Sequence, residues 1–352
     1  MRTRRCFVFF CLILIVAPIA RAAETLPPQL SDQEFWKLSS ESSEQDGTFR
    51  SDNLLSNESY FQFVIPRLNE TTKQGRVYMG VGPEQNFTYI AAIKPKMVFI
   101  VDIRRGNLDL QLVYKALFEI SKNRAEFVSR LFARKQPEGL GPNSTVEQIF
   151  AAIANVPSTD DVYYENLAAI KDHLMKKHGF PLSELDLMGI EWVYSNFSRF
   201  GPRINYGSSG RGGFGSGVTY ADLMTATDAN GVFRSYLANE DNFNVLKTLE
   251  TKNLIVPVVG NFAGPKAIRA VGRYIKEKEA VVSAFYLSNV EQYLEMDGIW
   301  DDFCRNVATL PLDDTSTFIR SVRGGTFGFG SGLNSDLGNM ASEVKSCAAP
   351  QK

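Results

Sequence analysis

An α/β fold of Rossmann type, with a mostly parallel sheet flanked by helices and carrying a helical insertion, is what the 352-residue sequence predicts, and three observations carry that expectation. Apolar runs without alternation, such as Met97–Ile103, suit strands covered by helices on both faces. Helical periodicity follows these runs, giving strand–helix alternation before and after a central helical block. The turn Gly80-Val81-Gly82 closes one strand, and Asp102 stands near the end of the next.

The ends and the composition bound the rest. Arg2, Arg4 and Arg5 precede an apolar run from Cys6 to Ala20, and Ala20-Arg21-Ala22 supplies small residues at cleavage spacing. This pattern reads as a signal peptide over residues 1–22, with the mature chain beginning at Ala23. The run is shorter than the ~20 residues that a membrane-spanning helix needs. The expected product is therefore exported, periplasmic or secreted, and soluble after cleavage, without stable membrane insertion.

Removing the signal takes away four arginines and no acid, so 34 basic side chains face 39 acidic ones. A mildly acidic chain lacks the concentrated positive field that holds a phosphate backbone, which excludes nucleic acid as a partner. The mature chain keeps only Cys304 and Cys347. In an oxidising compartment they form one disulfide, worth roughly 4 kcal/mol in the chain-entropy model, or else Cys304 is buried and Cys347 free.

Residues 23–58 are polar and read as a loose arm with at most one short helix, around Asp32–Leu38. The main domain spans 59–335. Its first strand is Arg76–Val81, and Pro83 opens a helix, a position where proline costs no hydrogen bond. The strand Met97–Ile103, in the middle of the sheet, leads to a helix capped near Asn107 whose apolar residues Leu108, Leu112, Ala116 and Ile120 recur at helical spacing. From 136 to 237 the pattern is helical, notably Val146–Asn155, Asp160–Lys177 and Leu185–Phe200. This insertion is either a cap over the ligand edge or the helical layer that a sheet requires.

Strand character returns at Leu254–Gly260, where Pro257 argues against a central place because it cannot donate to the ladder. A helix opened by Gly264-Pro265 and a strand at Val281–Leu287 follow. Ser316–Val322 is a last strand, parallel or antiparallel. Residues 336–352 read as a flexible tail. The glycine-rich Arg323–Gly332 echoes Arg211–Gly217, and both read as flaps over a ligand or as plain loops.

The candidate binding residues are Gly80, Gly82, Glu84, Asp102, Asn261 and Asn289. Glycines admit a ligand to the backbone, a helix start offers free N–H groups, and a carboxylate at the next strand's end can accept from ribose hydroxyls. Asn261 and Asn289 follow later strands, where open parallel sheets bind ligands, or they cap helices. A small-molecule ligand is the expected partner. No residue is assigned a catalytic role.

The stretch Gly80–Ile90, together with Val101-Asp102-Ile103-Arg104-Arg105-Gly106-Asn107 and Phe285–Glu291, resembles class I S-adenosylmethionine-dependent methyltransferases, and more closely an uncharacterised group of exported bacterial proteins with that Rossmann-like fold. The likeness spans about residues 60–325. It implies the fold, and S-adenosylmethionine as the cofactor class. Gly80 and Gly82 match the glycine motif, whereas Glu84 replaces its third glycine and Tyr78 its preceding acid. A negative residue at that helix start disfavours a pyrophosphate, and so NAD, and favours a cationic ligand such as the sulfonium and ammonium groups of S-adenosylmethionine. The alternative is a structural or interaction protein that has lost the cofactor site.

Other chemistries find no pattern. His173 and His178 are the only histidines, and five residues apart on an α-helix they face different ways, so no metal pair is expected. No Gly-x-Ser-x-Gly elbow occurs. The pairs Asp160-Asp161, Asp301-Asp302 and Asp313-Asp314 read as solvated surface.

Overall fold

A computed structural model describes residues 25–208, 217–330 and 332–347. The expected signal peptide and the glycine-rich 211–216 lie outside the described residues.

The described residues open with α1 (Asp32–Ser42), α2 (Ile65–Thr71), β1 (Val77–Gly80), α3 (Gln85–Ile93), β2 (Met97–Asp102), α4 (Arg105–Ile120) and α5 (Arg124–Leu131). The insertion supplies α6 (Val146–Ala154), α7 (Asp160–Asp172), α8 (Glu184–Phe200) and α9 (Tyr220–Thr225). Then come α10 (Glu240–Thr251), β3 (Ile255–Val259), α11 (Ala267–Glu277), β4 (Val282–Ser288), α12 (Val290–Met296), α13 (Trp300–Val307), β5 (Thr317–Arg323), β6 (Leu333–Asn339) and α14 (Met340–Cys347).

The sheet order is β3-β2-β1-β4-β5-β6, the first five strands parallel and β6 antiparallel to β5. This is a Rossmann-like α/β sheet whose order reverses at β1, between β2 and β4. Every residue of β1, β2 and β3 is buried, which explains the absence of alternation in their sequences. β3 is an edge strand, where Pro257 is tolerated.

The insertion contributes to a helical layer, and its Tyr206 also reaches the edge at the strand ends. α8 packs along α4, and α10 packs on α3 and α4. Aromatic rings fill the space between these layers, with Phe118 stacked on Phe127 at 4.5 Å and Phe87 edge-on to Tyr114 at 5.0 Å. Arg105, at the start of α4, pairs with Asp186, at the start of α8, with 2.5 Å between Nε and Oδ1.

Three expectations are corrected. The arm is docked rather than loose: Phe35, Leu54 and Leu55 are buried, the Ser39 hydroxyl donates to the Pro257 carbonyl, and the Glu44 N–H donates to the Val259 carbonyl at 2.7 Å. α1 lies along edge strand β3, and Ser39 and Ser43 satisfy that strand's free backbone groups, the Ser43 hydroxyl accepting the Val259 N–H at 2.9 Å.

The tail is also built into the fold. Leu333–Asn339 pairs along the whole of β5, and Arg320 bridges Glu291 and Glu343, tying α12 and α14 to the sheet. A sequence without β-branched residues forms β6 because backbone pairing with β5 overrides its propensity.

The two histidines do not face apart. α7 runs into a π turn, His173–Lys177, closed by the His178 N–H on the His173 carbonyl at 3.1 Å. An i→i+5 bond brings positions five apart onto one face.

Candidate functional site

Parallel pairing sets β1 beside β2 on one side and β4 on the other, so the carboxyl ends of all three strands open together. Beyond them lies a crevice of about 720 Å³, within the range that holds a small organic ligand. Its walls include Gly82, Asp102, Ser288 and Asn289 from the strand ends, Glu58 and Arg50 from the arm, and Tyr206, Tyr286 and Tyr293. A hollow of about 310 Å³ continues from it past Val81 and Asp102 to Gly260, Asn261 and Phe262.

Of the six residues singled out in the sequence, Gly82, Asp102 and Asn289 line the crevice, and Asn261 and Asp102 line the adjoining hollow. Gly82 has φ +75° with open space around its Cα, so its place requires glycine for conformation. Asp102 is buried and engaged by Arg104, whose N–H donates to Oδ1 at 2.9 Å and whose Nε lies 3.2 Å away. Asn289 makes no side-chain cap on α12, leaving its amide available to the crevice. The Asn261 side chain closes its own turn by accepting the Ala263 N–H at 2.9 Å.

Gly80 and Glu84 serve the turn itself. A Cβ at Gly80 would stand 1.9 Å from Asn86 Oδ1. Asn86 occupies the inside of the turn: its amide donates to the carbonyls of Val81 at 2.9 Å and Pro83 at 2.7 Å, and its Oδ1 accepts from the Tyr78 hydroxyl at 2.9 Å. Glu84 is fully buried behind the crevice, accepts the Ser56 N–H at 3.1 Å, and has no partner on Oε2. Burial pushes its pKa up to about 8, so at neutral pH it is mainly uncharged and presents no anion to a cationic ligand.

The arm places three further carboxylates at this edge. Glu44 accepts from the backbone N–H groups of Asn261, Lys266 and Ala267 at 3.1, 2.8 and 2.8 Å, filling the start of α11. Asp46 accepts the Arg105 N–H at 2.7 Å, at the start of α4. These are the positive helix ends at which Rossmann-like sheets commonly receive an anion, and here the chain's own acids take them.

Glu58 goes into the crevice wall. Its Oε1 accepts from the hydroxyls of Tyr286 at 2.8 Å and Ser288 at 2.7 Å, and its Oε2 accepts from Gln85 at 2.7 Å. Burial raises its pKa, against the lowering effect of those hydrogen bonds. Ser288 has φ +50°, a conformation disfavoured for a residue with a side chain, at a register shift in the β4–β5 pairing. Strain of this kind concentrates at ligand sites. Sequence reasoning missed Glu58 because it sits in the arm, outside any periodic element, and its role appears only when β4 is brought 230 residues back to meet it.

Among the described residues no helix is long and apolar enough to cross a membrane. No curated protein matches the chain. A family model described as a domain of unknown function (DUF7790) matches residues 54–178 and 218–349, taking in Glu58, Gly82, Asp102, Asn261 and Asn289. These stretches make up most of the chain, which therefore belongs to that family.

Proposed function

We propose that this is an exported protein, on a frame of methyltransferase descent, that binds a small nucleoside-like or cationic ligand in the crevice at the strand ends. The observation that carries the reading is an open crevice at the reversal of strand order, walled by Glu58, Asp102 and Asn289 with three tyrosines. Tyrosine rings offer faces for a base or a cation, and the carboxylates offer acceptors for hydroxyl or ammonium groups.

The occupied helix starts favour a second reading, an interaction protein that keeps the frame and has given up its cofactor. Calorimetry with S-adenosylmethionine, its demethylated product, adenosine and a polyamine separates the two. The expected result is saturable binding of adenosine or the polyamine, weakened by Asp102→Asn, with no strong binding of S-adenosylmethionine. A low-micromolar dissociation constant for S-adenosylmethionine would make methyl transfer the leading function. Failure of every ligand would favour the interaction protein.

Export goes with a bridge between Cys304 and Cys347. Support comes from α13, which carries buried Cys304 and packs on α14, the helix that ends at Cys347. Intact mass of the exported protein should rise by two hydrogens on reduction, and an unchanged mass would reject the bridge.

A further inference from the structure

The chain's two histidines meet a glutamate at the opposite end of α4 from the crevice. From Arg105 to Glu119, α4 climbs roughly 21 Å at 1.5 Å per residue, so the cluster is separate from the crevice, and nothing in it rests on the proposed ligand. His173 Nε2 and His178 Nε2 each lie 2.9 Å from Glu119 Oε2, and the three atoms fall within 4.8 Å of one another. All three side chains are nearly enclosed, at 10%, 5% and 2% exposure.

The His178 imidazole is held in place from behind. His178 Nδ1 lies 2.6 Å from Asp32 Oδ1, at the start of α1. A carboxylate there accepts a hydrogen bond from Nδ1–H and fixes the ring's orientation, so that Nε2, which faces Glu119, is the nitrogen offered to a metal, the arrangement that supports histidine ligands of metals. The His178 ring stacks on Phe180 at 5.0 Å, and Phe180 in turn stacks on Phe35 and Trp36 of the arm.

We propose that Glu119, His173 and His178 form a binding site for one divalent transition-metal ion of the Zn²⁺ type, with Asp32 orienting His178 from behind. Two imidazole nitrogens and one carboxylate oxygen are a donor set that zinc accepts, with a fourth position left for water. Tetrahedral bonds of about 2.1 Å set ligand atoms about 3.4 Å apart, so each 2.9 Å separation needs to open by only about half an ångström. Lys115 holds the other oxygen, Glu119 Oε1, at 2.7 Å and restricts Glu119 to a single bond to the ion.

Lys177 guards the approach. Its Nζ lies 3.2 Å from Glu119 Oε2 and 3.5 Å from His173 Nε2, yet its side chain is 59% exposed and can swing into water. Its charge opposes that of an incoming cation. Bound metal would join α4, the π turn and, through Asp32, the first turn of the arm.

The test is calorimetric titration of the chelator-stripped full chain with zinc chloride, repeated with Co²⁺ and read by visible absorption. One equivalent of Zn²⁺ should bind with a submicromolar dissociation constant, and Co²⁺ should give the intense bands of a four-coordinate site. His173→Ala and His178→Ala should each weaken binding more than about 100-fold, Asp32→Asn about 10-fold, while Lys177→Ala should tighten it. Absence of saturable binding to the parent chain would overturn the site, as would unchanged affinity in both histidine variants. Where circular dichroism shows a histidine variant unfolded, Asp32→Asn and Lys177→Ala decide, and no change in either rejects the site.

Discussion

Between pH 5 and pH 8.5, Glu84→Gln should gain about 4 kcal/mol of stability relative to the parent chain. The unfolded carboxyl titrates near 4.5, whereas the folded one, buried beside Glu58, titrates at about 8. Below 4.5 both states carry the proton and stability is indifferent to pH. Between these values the folded state keeps a proton that the unfolded state has released, so stability falls as pH rises, by about 1.4 kcal/mol per pH unit. Above about 8 the loss is complete. Glutamine keeps the neutral shape and does not titrate, so the variant escapes the decline. Any constant cost of placing an amide where Oε2 has no partner shifts both ends of the series equally. Urea denaturation at several pH values measures the gap, and a pH-independent gap would show that Glu84 is solvated.

Gly80→Ala should lose about 3 kcal/mol, more than Gly82→Ala, for which about 1 kcal/mol is expected. A methyl at Gly80 meets Asn86 Oδ1 at 1.9 Å and the Tyr78 ring at 3.0 Å, and no rotation of a packed Asn86 relieves the first contact without breaking its bonds to Val81, Pro83 and Tyr78. A methyl at Gly82 meets nothing within 4 Å and incurs only the cost of φ +75°. A turn shaped for ligand approach alone would rank the two the other way, because Gly82 faces the crevice. Denaturant midpoints of the two variants settle the order. The double variant Gly80→Ala with Asn86→Ala should be less damaged than the sum of the singles, since the clash is then absent.

The sheet was legible because its signals are local. Burial on both faces writes itself into Val98-Phe99-Ile100-Val101, and an edge position is announced by Pro257. The meeting of Gly82 and Asp102 also follows from local rules, since adjacent parallel strands must end side by side. Glu58, Glu44 and Asp46 were hidden for the opposite reason. Their partners lie dozens to hundreds of residues away, and nothing in a polar arm marks one acid as buried and another as solvated. The paired histidines were misread because α-helical spacing was assumed where one residue of extra winding changes which side chains meet. Nothing in the sequence marks Asn86, although the distance from Gly80 to its oxygen explains the glycine better than any ligand does.

The docking of the arm has a consequence for how the molecule is made. Glu44 binds backbone that lies 223 residues later, so on a ribosome adding about 5–20 residues per second it waits roughly 10–45 s before its partners exist. During that interval the segment must neither aggregate nor form a wrong pairing. Its abundance of serine and acid suits it to remain hydrated until β3 and α11 appear, so that an early segment of the chain is fixed by elements made long after it.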